Sequence, residues 1–264
     1  MKRILIYADA IGNGTRVGVN EAYVNFASQF GEAILVLPTN DLNRYINDAD
    51  VLFIPGGSDI DPTTYGERPS KTTGRTNPHY EFLDKYLLKP WINTGKPIIA
   101  ICRGMQALNV VLGGSLHQNI YGHVGGENRS RCDDVLCTNI PGYYYHETNS
   151  YHHQAVKKLG SNLEIIGWSY AFKNCPTTYS KDNIVRDFKV PKSNKEKDVL
   201  VDEKNYHAVV EIIKHKTLPY IGFQYHPEEF NCPLAIKLID DVAGVPLIED
   251  NSLLIAQQDF VFDL

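Results

Sequence analysis

The stretch PIIAICRGMQALNVV, residues 97–111, carries the reading of the fold. Its apolar run at 98–101 is short and unbroken, as in a strand buried on both faces; Cys102, Arg103 and Gly104 cut it off before apolar residues return at helical spacing. A strand that turns tightly into a helix exposes the residue at the turn, and Gly104 brings no Cβ into it. Cys102 takes that exposed position. The positive end of the following helix favours a thiolate there, and the amides of Arg103 and of the Gly56-Gly57 turn are available as donors to an oxyanion. An isolated cysteine at a strand end is more often packing than chemistry, so a base and its orienting partner must come from elsewhere.

Outward from this stretch, similar apolar runs at 4–7, 33–37 and 51–54 each end in turn chemistry, and helical spacing fills 19–30 and 80–91, where Phe82, Leu83, Tyr86 and Leu87 share a face. Strand alternating with helix predicts an α/β fold with a mostly parallel central sheet flanked by helices, ligands lying at the carboxyl ends of the strands. Residues 139–153, rich in Tyr, His and Asn, read as loop or short strands. The lysine-rich segment 171–205 reads as an insertion, 208–213 and 220–223 return to apolar order, and 235–242 reads as a helix. A single domain over 1–264 is expected, with a C-terminal extension at 243–264.

Composition narrows the function. At 43% hydrophobic and 22% charged the chain is ordinary globular material, and a net charge of -5 offers no footprint for nucleic acid. The opening apolar run is too short for an export signal or a membrane span, so a cytoplasmic protein is expected. Five cysteines, an odd count, argue against a disulfide framework. Cys132, Cys137, His146, His152 and His153 lie near one another in sequence, but no second pair matches the Cys-x4-Cys spacing, and no metal or other cofactor is expected.

The base is found in IGFQYHPEEF, residues 221–230, where His226 and Glu228 follow an apolar strand two residues apart. In extended backbone both side chains face one way, so Glu228 accepts the imidazole N–H and fixes the tautomer of His226 that takes a proton from Cys102.

Four blocks, FIPGGSDIDPTTYGERP (53–69), PIIAICRGMQALNVVLGGSLHQNI (97–120), NSYHHQAV (149–156) and GFQYHPEE (222–229), together resemble the gamma-glutamyl-gamma-aminobutyrate hydrolase family of the class I glutamine amidotransferase-like superfamily. The resemblance implies a flavodoxin-like core, a Cys102, His226, Glu228 triad, oxyanion amides at Gly57 and Arg103, and hydrolysis of a small gamma-glutamyl amide through a glutamyl thioester. It also implies a substrate-binding role for Gly56, Gln106, His152, His153 and Gln154. Two of the family's patterns are altered: Arg-Asp-x-x-Glu stands as Asn77-Pro78-His79-Tyr80-Glu81, and Asp-Gly-x-x-Glu as His207-Ala208-Val209-Val210-Glu211. These changes leave the amine side of the substrate open. A glutaminase subunit that passes ammonia to a partner synthetase is the rival reading, and an inactive binding protein on the same fold is a third. Homo-oligomerisation stays open, and neither nucleic acid nor membrane is expected as a partner.

Overall fold

The computed structural model describes residues 1–11, 16–38, 41–120, 123, 132–143, 145–172 and 206–248. Nearly all of the expected insertion, and the C-terminal extension beyond residue 248, therefore lie outside the described residues. The nine strands of the large sheet are β1 (Arg3–Tyr7), β2 (Glu32–Val36), β3 (Val51–Ile54), β4 (Ile98–Ile101), β5 (Cys132–Thr138), β6 (Tyr145–Ser150), β7 (Leu163–Phe172), β8 (Tyr206–His215) and β9 (Tyr220–Phe223). They lie side by side as β2-β1-β3-β4-β9-β8-β7-β5-β6.

The first five strands in that order run parallel, and the remaining four extend the sheet in antiparallel pairs. The parallel half meets the expectation of an α/β core; β5 and β7 were not read as strands, and β6 lies within the stretch read as loop or short strands. Alternation along each parallel strand divides the core in two. Leu5, Leu52, Ile54, Ile98 and Ala100 pack on one face with the helices Leu42–Asp48 and Arg103–Val111. Ile4, Ile6, Phe53, Ile99 and Ile101 pack on the other with Glu21–Ser28 and Pro233–Ala243. Because both faces are covered, these strands read as continuous apolar runs.

The helix read over 80–91 is not regular. It begins at Pro78, capped by the Asn77 side chain accepting from the His79 N–H at 2.9 Å, and widens into a π turn over Asp84–Leu88 before Lys89–Ile92. Pro90 has no N–H for the Tyr86 carbonyl, and the Lys89 N–H reaches back five residues to the Asp84 carbonyl. The widened turn is where Asp84 meets Arg103.

Candidate active site

Cys102 directly follows β4 with φ 50° and ψ -109°, a backbone conformation that residues other than glycine rarely take. Its N–H donates to the Phe223 carbonyl at 2.6 Å and its own carbonyl accepts from Gln106 N–H at 3.2 Å, so β9 and the helix hold the strained residue from both sides. The next turn fits only because Gly104 is bare: a Cβ there would sit 2.2 Å from the Ile54 carbonyl oxygen.

His226 follows β9, which neighbours β4 in the sheet. Its Nδ1 lies 2.8 Å from Glu228 Oε1 and 3.2 Å from the Tyr23 hydroxyl. A carboxylate only accepts, so Nδ1 carries the hydrogen and Nε2 is left for Cys102. Burial pushes the imidazole pKa down, but Cys102 and then Glu228 outweigh it and hold His226 well above its ordinary range. The expected geometry is corrected in one respect: Pro227–Glu229 form a 3-10 turn, and it is this turn, not extended backbone, that returns Glu228 to the ring. Two residues not assigned from the sequence hold His226. Asn149 accepts the His226 N–H at 2.8 Å and donates to its carbonyl at 3.1 Å, and Tyr23 covers the Glu228 side of the ring.

These groups open into a cleft of about 450 Å³. All the residues singled out from the sequence line it: Cys102, His226, Glu228, Gly56, Gly57, Arg103, Gln106, His152, His153 and Gln154. Their side chains are employed differently. The Arg103 guanidinium turns away, pairs with Asp84 at 2.6 Å and lies over the Tyr80 ring, leaving only its backbone for the cleft. Burial raises the Asp84 carboxyl against the opposing pull of Arg103, whereas Asp84 keeps the buried guanidinium above its ordinary range. Gln106 donates to the Gln154 carbonyl at 3.0 Å and to Gln224 Oε1 at 3.1 Å, which fixes it in the floor. His153 pairs with Asp59 at 2.9 Å. His152 donates from Nδ1 to the Gln154 carbonyl at 2.8 Å, and burial lowers its pKa against the opposing pull of Glu211.

The two glycines are needed for contact. A Cβ on Gly56 would meet the Tyr23 hydroxyl at 2.3 Å and His226 Cε1 at 3.1 Å, and one on Gly57 would meet the Tyr80 ring at 2.5 Å. Of the altered patterns, Tyr80 thus supports the glycine turn, while Glu211 is fully buried on β8. The sequence cluster of cysteines and histidines is dispersed: His146 lies 3.7 Å from Cys232, and His152 faces Glu211 and His123.

The family model described as Peptidase C26 matches residues 7–171. Protein NtpR of Enterococcus hirae is 34% identical over 168 residues, 56% of this chain and 70% of NtpR. The glutamine amidotransferase-like protein YvdE of Lactococcus lactis is 28% identical over 55% of this chain and 68% of its own. The gamma-glutamyl-gamma-aminobutyrate hydrolase PuuD of Escherichia coli is 30% identical over a shorter region, 41% of this chain and 44% of that protein. Among solved structures, a Thermoplasma acidophilum protein provisionally assigned to GMP synthase superposes with a TM-score of 0.55 at 14% identity, covering 98% of this chain and 99% of its own.

Proposed function

Since the chain belongs to the Peptidase C26 family of glutamine amidotransferase-like hydrolases, we propose that it hydrolyses the gamma-glutamyl amide bond of a small compound with Cys102 as nucleophile. The single observation that supports this most is the joining of a strained Cys102 to a His226 held by Glu228 at 2.8 Å in one cleft. His226 takes the thiol proton, and the thiolate adds to the gamma-carbonyl carbon. The oxyanion is received by backbone amides at Gly57 and Arg103. Protonated His226 gives its proton to the leaving amine as the carbon–nitrogen bond breaks, forming a thioester. A water molecule, deprotonated by the same ring, then adds to the thioester and releases the glutamyl acid and the thiol. Glu228 and Tyr23 hold the ring for both transfers, and Gln106, His152, His153 and Gln154 form the wall against which the glutamyl group is seated.

Purified protein and its Cys102→Ala variant, supplied in parallel with gamma-glutamyl-gamma-aminobutyrate, gamma-glutamyl-putrescine and L-glutamine, test this reading. Amine release from a gamma-glutamyl amide by the parent alone is expected, and full activity in Cys102→Ala would sink the mechanism. The similarity to YvdE, named for its likeness to glutamine amidotransferases, supports one second reading, a glutaminase. Ammonia from glutamine with no other amine released would favour it and a synthetase partner.

A further inference from the structure

His123, His152 and Glu211 come from three distant points of the chain and place one nitrogen or carboxylate oxygen each within 4.8 Å of the others. His152 is 5% exposed and the other two are fully buried. The His152 Nδ1 hydrogen is committed to the Gln154 carbonyl, which leaves Nε2 as the ring's remaining ligand atom. Nε2 faces Glu211 Oε1 at 3.6 Å and has no hydrogen-bond partner. Glu211 Oε1 accepts from the Ser169 hydroxyl at 2.7 Å, whereas Oε2 is buried with no hydrogen-bond partner. Buried polar atoms left in this state are costly, and a cation between them removes the cost.

A separation of 3.6 Å is too long for a hydrogen bond and suits two ligand atoms of one ion with bonds of about 2.0–2.2 Å. The carbonyl contact behind His152 is the outer support that metal-ligating imidazoles usually have. We propose that His152, Glu211 and His123 form a binding site for a divalent transition metal, Zn²⁺ by the chemistry of two imidazoles and a carboxylate. The site lies behind the cleft wall, since His152 lines the cleft while Glu211 does not. Its role is to fix His152, and it takes no part in the cysteine chemistry; the inference stands whether or not the proposed hydrolysis is correct.

The test uses the full chain carrying Cys102→Ser and His226→Asn, which removes the competing thiolate and imidazole of the cleft. After metal is stripped with a chelator, Co²⁺ is added as a coloured probe and then displaced with Zn²⁺. One equivalent of Co²⁺ with a visible ligand-field band, lost on adding Zn²⁺, is expected. Adding Glu211→Gln is expected to weaken binding by about 100-fold or more, beyond the range of an outer-support change. Absence of a saturable band, or a band unchanged by Glu211→Gln, would overturn the proposal. Should that last variant fail to fold, the melting temperature of the double variant decides: a rise that grows with ZnCl2 concentration supports the site, and none refutes it.

Discussion

Burial lowers the pKa of His226, but Cys102 and then Glu228 raise it further than burial lowers it. With its folded pKa raised, His226 holds a proton to higher pH than in the unfolded chain. The stability linked to it is complete below the unfolded value of about 6.5 and is lost as pH rises through the folded pKa. Cys102→Ala removes the group that does most to raise it, so the His226 pKa followed by NMR is expected to fall; an unchanged value would contradict that coupling. Glu228→Gln leaves the ring without its carboxylate, and a loss of about 10²–10⁴ in kcat/KM is expected with folding retained. Gly56→Ala pushes on Tyr23 and, through the added methyl, on His226. A fall of about 10²-fold in kcat is expected from such a displacement, and Tyr23→Phe in the same chain should restore part of it by removing the clashing oxygen. No recovery would place the obstruction elsewhere.

At the scale of elements, the cleft rests on a buried ion pair. Arg103 is 1% exposed, and the π turn Asp84–Leu88 supplies its only ion-pair partner recorded among the described residues. Asp84→Ala strands that charge, and urea unfolding is expected to show a loss of about 3–5 kcal/mol, as for other broken buried pairs. A change near zero would mean that water or another group reaches the guanidinium. The π turn could not be foreseen from Phe82, Leu83, Tyr86 and Leu87, whose spacing suits an ordinary helix. The signal was Pro90, which withholds a backbone donor. The short extended reading of His226 to Glu228 failed for a related reason: Pro227 opens a 3-10 turn as readily as it stiffens a strand.

Across the whole molecule, the parallel half was legible because its strands are apolar on both faces, and each ends in punctuation such as Pro55-Gly56-Gly57 or Cys102-Arg103-Gly104. The antiparallel half was less so. Leu163–Phe172 mixes Glu164, Gly167 and Ser169 among apolar residues, and Cys132–Thr138 opens with Cys132-Asp133-Asp134, so neither carries a continuous signal. The proposed triad of Cys102, His226 and Glu228 stood out because its members lie in compact motifs, two of them only two residues apart. Asn149 was visible only as part of a matched block, and the group of His123, His152 and Glu211 was hidden because its members are separated by tens of residues and carry no ligand spacing. The claim that joins all three scales is that the sheet delivers Cys102 to a gamma-glutamyl carbonyl, and it is tested most directly by trapping. The parent protein is mixed rapidly with gamma-glutamyl-gamma-aminobutyrate, quenched in acid and digested, and the peptide containing Cys102 is weighed. A glutamyl mass on Cys102 that appears within the first turnover and decays as product forms is the expected result; turnover with no acyl group on that peptide, or the same turnover in Cys102→Ala, would contradict it.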